Sequence, residues 1–387
     1  MAQPVSRREF LGTSIGTLAA TLLLRNRGPE EAPCFLQQTG KPAAPPGTTI
    51  RATTRTLDIN GRAAQVMGLL QPNGTQGMTT VVNDPFQVTL YDQLSVPTAI
   101  HWHGLHPPNN EDGVPGVTQL VVRPGATTFY NFPVQPAGTY WMHSHQGLQE
   151  AFLLAAPLIV HDPSDRARDE QEVVLMLGDF SFTPPKEIYA KLRAGATTNA
   201  GTRQGQSGKA DMKSKAMKPD ANDVNYDAYL ANDRTLLDPE VVKVENGGRV
   251  RLRIINGSSG TNYFVDLGSL KGELIAADGM PVKPLRGSRF PLAIAQRIDV
   301  IVHLPPGGGA FPILALRELA AERTGIVLAT SGARIPKLPT SGSAATGLLT
   351  LEQESQLTAA NPLSAALARS PARSNWAATW PGSPAGS

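Results

Sequence analysis

The sequence predicts an all-β chain of two β-sandwich domains in tandem, flanked by disordered N- and C-terminal segments. Three observations carry this. Short runs rich in β-branched residues recur with turn residues between them. Glycine and proline are frequent, at 37 and 33 residues, while aromatics make up only 6%, a balance that favours many turns over long helices. The length, 387 residues, is enough for two or three domains.

Residues 1–45 read as a targeting segment and linker. Ser6-Arg7-Arg8-Glu9-Phe10-Leu11 leads directly into the apolar run from Leu11 to Leu24, which resembles a twin-arginine export signal. Export by that route places the mature chain in the periplasm or outside the cell. The run is short for a membrane span. No clean small-x-small cleavage site follows Leu24, so a membrane anchor through residues 11–24 is the alternative if the signal stays uncleaved. The single cysteine, Cys34, allows no intrachain disulfide and sits in a Pro-rich stretch without a lipoprotein-type cleavage box.

Residues 46–163 read as the first sandwich, with strands expected at 51–59, 86–92, 98–103, 118–122, 127–132, 139–143 and 153–160. Two stretches in it carry chemistry, His101-Trp102-His103-Gly104 and His143-Ser144-His145. Residues i and i+2 of a strand point to one face, so each pair presents two imidazoles side by side. Imidazole ligates copper, zinc, iron and nickel, and two pairs from neighbouring strands would build a metal site of His101, His103, His143 and His145. Trp102 alternates with the histidines and is expected in the core, as is Trp141. His106, His161 and His303 lack such spacing and read as a loop residue and two ordinary sheet residues.

Residues 164–335 read as the second sandwich, with strands expected at 172–177, 241–245, 250–256, 262–267, 272–276 and 297–303. One histidine and no cysteine fall there, so no metal site is expected. Residues 191–225 are rich in Gly, Ser, Thr, Lys and Asn and read as a flexible insertion. Met212 and Met217 lie in it; thioethers suit Cu(I), but a plain loop is the preferred reading. Residues 336–387 lose periodicity and read as linker or disordered tail. The formal net charge of +3, with no basic stripe interleaved with aromatics, argues against nucleic acid as a partner.

The two His-x-His pairs, together with Asp112-Gly113-Val114-Pro115, Gln119, Pro124-Gly125 and Gly138-Thr139-Tyr140-Trp141, resemble the first copper-binding region of the multicopper oxidases. Asn232-Asp233-Arg234, Arg251 to Asn256 and Asp278-Gly279 resemble the second domain of that family's bacterial copper-resistance branch, so the likeness covers residues 46 to 335. It implies two cupredoxin-like Greek-key sandwiches, copper as the cofactor, and a laccase-like oxidoreductase that couples oxidation of a small-molecule reductant, a phenol or Cu(I), to reduction of O2 to water. By the same likeness His101 would hold the isolated copper of a trinuclear cluster, and His103, His143 and His145 the coupled pair. Asp112 would be the catalytic carboxylate that orients water or relays protons; its plain alternative is a turn residue.

In the family a third domain supplies four further histidines, a His-Cys-His bridge and the blue-copper ligands. No histidine follows His303 and no cysteine follows Cys34. Four imidazoles cannot saturate three copper ions, and a blue copper needs a thiolate. The expectation is therefore a shortened member, inactive alone or dependent on a partner chain for the missing ligands. The alternatives are a non-catalytic exported copper-binding or copper-tolerance protein and a remnant that binds no metal.

Overall fold

Alternating burial along the strands is what assembles the molecule. The computed structural model describes residues 47–201 and 224–362, with side chains omitted for 195–201. The expected signal, Cys34, Met212, Met217 and the final residues 363–387 lie outside that set.

The first strands are β1 (Thr48–Ile59), β2 (Arg62–Leu70), β3 (Met78–Val81), β4 (Pro85–Asp92), β5 (Ile100–His103), β6 (Thr127–Pro133), β7 (Gly138–Ser144) and β8 (Ala155–His161). They form two four-stranded sheets, β2-β1-β4-β6 and β3-β8-β7-β5. In β4, Phe86, Val88 and Leu90 are buried while the residues between them face outward, the period of a half-buried strand. Phe86, Val88, Leu90, Trp102, Tyr130, Phe132, Met142 and Leu158 close the core between the two sheets. Trp102 is fully buried, edge-on to Phe86 and Tyr130 at 4.9 and 4.8 Å. Parallel pairings β1–β4 and β3–β8 show that the chain crosses between sheets instead of running as simple hairpins.

The later strands are β9 (Gln171–Phe180), β10 (Ala228–Ala231), β11 (Val241–Lys243), β12 (Arg249–Asn256), β13 (Tyr263–Asp266), β14 (Gly272–Ala277), β15 (Met280–Gly287), β16 (Arg289–Leu292), β17 (Arg297–His303), β18 (Ala310–Arg317) and β19 (Arg323–Ala329). They form a six-stranded sheet, β10-β9-β12-β17-β14-β15, and a five-stranded one, β11-β19-β18-β13-β16. Leu175, Leu252, Ile254, Tyr263, Val265, Leu274, Val300, Ile313 and Ile326 fill the space between them.

Three expectations need correction. Residues 118–122 form no strand. The chain there turns at Gly113 and Gly116, both at positive φ, and the Val114 carbonyl accepts from the amides of Val117, Thr118 and Gln119. The insertion expected from residue 191 begins inside a helix, α1 (Pro185–Gly201), whose start has Pro185 in the first turn and Glu187 near the positive helix end. Residues 336–362, expected as linker or tail, run along the second sheet pair. Lys283 N donates to Thr358 O, Thr346 Oγ1 donates to Arg317 O, and Leu357 packs on the core beside the short helix α2 (Glu352–Gln356). These docking contacts pair scattered polar groups, which leave no periodic signal.

A buried ionic network joins the two sheet pairs. Arg251 and Arg253 of β12 both reach Asp299 of β17 (2.7 and 3.1 Å). Thr139 of β7 donates to Asp299 and accepts from Arg253. Arg253 also pairs with Glu172, which accepts from His161 Nε2 at 3.0 Å. Arg55 of β1 pairs with Asp233 in the turn after β10. Strand β7, which carries His143, is thereby fastened to the second sheet pair.

Candidate metal centre

The two His-x-His pairs meet because β5 and β7 are antiparallel neighbours. His101 lies opposite His143, and His103 opposite Trp141. Both pairs keep the face opposite to Trp102 and Met142, as period-2 alternation requires. The ring centroids of His101 and His143 are 5.6 Å apart, those of His103 and His143 5.4 Å, and those of His101 and His145 4.5 Å. Ligand atoms of His101, His143 and His145 all lie within 4.8 Å of one another, and His103 Nδ1 is 3.2 Å from His143 Nε2. Among the described residues this is the one such cluster of potential ligands.

The outer nitrogens are occupied. His101 Nδ1–H donates to the Asp112 carbonyl at 2.7 Å, with the Asp112 carboxylate 3.3 Å away. His143 Nδ1–H donates to Glu150 Oε2 at 2.8 Å. A histidine that donates from one nitrogen keeps its lone pair on the other, so His101 and His143 turn Nε2 inward while His103 turns Nδ1. Trp102 Nε1 donates to the Glu111 carbonyl at 3.1 Å, pinning the loop that brings Asp112 to His101. Gly113 sits at φ +80°, and a Cβ there would fall 1.9 Å from the Ile100 carbonyl; only glycine lets this loop close on β5.

Burial holds His103 down at about 3, with the Arg297 charge and neighbouring imidazoles adding to it. Burial and the neighbouring imidazoles hold His145 at about 4. Both rings are therefore neutral at pH 7, the form that ligates metal. A cluster of imidazoles whose outer hydrogen bonds are partly buried fits copper, which binds nitrogen donors most tightly among the divalent first-row ions.

Asp112 joins the site mainly through its carbonyl, a contact that a catalytic carboxylate alone does not require. Trp141 is buried but lies on the histidine face, stacked 4.1 Å from His143 and 4.9 Å from His103, because it is two residues from His143. Glu150 is the site residue that sequence reasoning missed. It lies in a 3-10 turn, Glu150–Phe152, separate from the strand that carries His143, so no single period relates the two. His106 is exposed in a loop, His161 bonds Glu172, and His303 is exposed at the end of β17; none joins the cluster.

Family models described as multicopper oxidase match residues 53–165 and 171–332. The chain is similar to multicopper oxidase MmcO of Mycobacterium tuberculosis, 31% identical over 81% of this chain and 64% of that protein. It is similar to copper resistance protein A of Escherichia coli, 33% identical over 65% of this chain and 44% of that protein. Its fold matches the crystal structure of a laccase from Botrytis aclada with a TM-score of 0.61, at 24% identity over 76% of this chain and 54% of that one. The chain thus spans between 44% and 64% of the length of these relatives.

Proposed function

The chain belongs to the laccase-like multicopper oxidase family, whose members bind copper and use O2 with a reductant, and from that premise we propose that His101, His103, His143 and His145 hold copper as one half of a multicopper cluster. The observation that supports this reading best is the set of imidazole nitrogens turned inward toward one another, with the outer ones tied to Asp112 and Glu150. Copper bound there supplies one-electron redox chemistry toward O2. The chain's own residues orient and shelter it. Asp112 O and Glu150 keep protons on the two Nδ1 atoms, and Trp141 covers the rings from one side. The Asp112 carboxylate, partly exposed beside His101, orients water and relays protons at the rim.

The activity follows as a proposal: oxidation of a phenol or of Cu(I), coupled to reduction of O2 to water. Four imidazoles are too few donors for three copper ions, and no thiolate lies among the described residues. Residues 47–362 by themselves therefore bind copper without turnover, the further donors coming from additional polypeptide or a partner chain. We read residues 46–163 and 164–335 as the two domains. Likeness to a copper resistance protein supports export, with Ser6 to Leu24 as a twin-arginine signal. No helix among the described residues is long and apolar enough to cross a membrane.

A second reading, an exported copper-tolerance protein without catalysis, is favoured by the same lack of a thiolate. Copper titration of the chain and of a His101→Ala, His143→Ala double variant tests the site; equal binding by both would refute it. Oxygen uptake with a phenol or Cu(I) separates the readings. Copper binding without uptake and without a blue absorption band is expected of this chain, and steady uptake would contradict the ligand count.

A further inference from the structure

The second sheet pair sends one cation to the histidine site. Arg297, first residue of β17, is 4% exposed. Its guanidinium donates from Nε to Thr139 O at 3.3 Å, from Nη1 to Ala295 O at 3.0 Å and from Nη2 to Asp278 O at 3.1 Å. Nη1 also lies 3.0 Å from the Asp278 carboxylate. The other side of the fork abuts the chain just after His103. A Cβ on Gly104, at φ +93°, would fall 2.4 Å from Nη2 and 2.7 Å from the Tyr140 ring. The turn carrying Asp278 meets β7 equally closely: a Cβ on Gly138 would strike the Gly279 carbonyl at 2.5 Å, and one on Gly279 the Tyr140 ring at 2.6 Å. Gly104, Gly138 and Gly279 thus let three backbones close around one arginine.

We propose that Arg297 is a positioning residue of the copper site, which fixes the His103–Gly104 turn and places a buried positive charge behind the His103 ligand. The inference rests on the copper reading above. The turn follows from geometry, because a planar fork reaches three separated carbonyls from three different nitrogens, where an ammonium has one nitrogen only. The charge follows from burial and proximity. Nη2 lies against Gly104, the residue that follows His103, and the guanidinium is almost wholly shielded from solvent. A cation nearby opposes Cu(II) more than Cu(I), so it shifts bound copper toward the reduced ion. Asp278, about half exposed, compensates that charge only in part.

The test uses copper alone as the probe, on the full chain. Cu(I) and Cu(II) affinities and the Cu(II) electron paramagnetic resonance spectrum are measured for the unaltered chain and for Arg297→Met, Arg297→Lys and Asp278→Asn. Arg297→Met should lower the ratio of Cu(I) to Cu(II) affinity about tenfold, the size expected of one partly compensated charge within ~10 Å at an effective dielectric constant of about 20. Asp278→Asn should raise the ratio, and Arg297→Lys should keep it while altering the resonance spectrum. If Arg297→Met fails to fold, the exposed Asp278→Asn still reads the charge. Unchanged ratios in the variants that fold, or shifts of one sign in both Arg297→Met and Asp278→Asn, would overturn the proposal. An unaltered chain that binds no copper would instead refute the site itself, and the proposal with it.

Discussion

Glu150 shows how one side chain sets the chemistry of another. Its carboxylate accepts a hydrogen bond from Nδ1–H of His143, which fixes the tautomer and turns the Nε2 lone pair toward His103 Nδ1. Partners of this kind typically account for ten- to a hundredfold in metal affinity. Glu150→Ala should therefore weaken copper binding by about that factor, while Glu150→Gln, whose amide oxygen still accepts, should lose less. Calorimetric copper titration of the two variants checks the order; equal losses would show that the carboxylate does not orient the ring. Asp112 acts differently. Its carbonyl is the nearer acceptor for His101, so a side-chain substitution leaves that tautomer in place and tests only the role proposed for the carboxylate.

Among the elements, the loop between β5 and β6 is where local conformation and site geometry are most tightly coupled. It returns to β5 at Gly113, and the Trp102 ring holds it through Glu111 O. Gly113→Ala forces a side chain into the Ile100 carbonyl at a positive φ. The expected result is a loss of about 1–3 kcal/mol in stability, with weakened copper binding because Asp112 is carried away from His101. Gly74→Ala is the control: it also has positive φ, but nothing lies within 4 Å of its added Cβ. Thermal melts and copper titrations of both variants separate strain from site. If Gly74→Ala impaired copper binding as much, the loop argument would be wrong. The same loop explains why residues 118–122 are not a strand despite their apolar content. Its carbonyls are committed to a turn, leaving only the Thr98–Val122 and Pro115–Gln119 bridges.

Across the whole molecule, the ionic network between the sheet pairs makes stability depend on pH. Burial acts to raise Glu172, but the His161 hydrogen bond and the Arg253 charge together outweigh it and hold the carboxyl at about 2, below its ordinary 4.5. The folded chain thus binds this proton more weakly than the unfolded chain. The resulting stabilisation is complete above about pH 4.5 and is lost as pH falls toward 2. Glu172→Gln should be less stable at pH 7 by about 3 kcal/mol, and its stability should change less between pH 4.5 and 2. Chemical denaturation across that range measures it; parallel curves for the two proteins would remove Glu172 from the acid response. Asp299, Arg251 and Arg253 are almost fully buried and paired with one another. Breaking such a set leaves an uncompensated buried charge, so removal of one partner is strongly destabilising even though the intact set adds little net stability.

The sequence alone determined the features that repeat locally. Alternation every two residues placed His101 with His103 and His143 with His145 on common faces, put Trp102 in the core, and marked many of the strands. Strands β2 and β18 alternate in burial as well, whereas β19 is buried along nearly its whole length and shows no period of two. Short strands such as β3 and β10 were not legible, because Met78-Thr79-Thr80-Val81 and Ala228-Tyr229-Leu230-Ala231 show no alternation of apolar and polar residues. Tertiary structure alone decided the rest. It laid β5 against β7 so that the two imidazole pairs face one another, brought Glu150 to His143 from a turn, docked residues 336–362, and threaded Arg297 behind Gly104. Each of these joins groups far apart in the chain or outside any regular spacing. What fixes them is the pairing of buried charges, carbonyls and close backbones in three dimensions, and no local period encodes that.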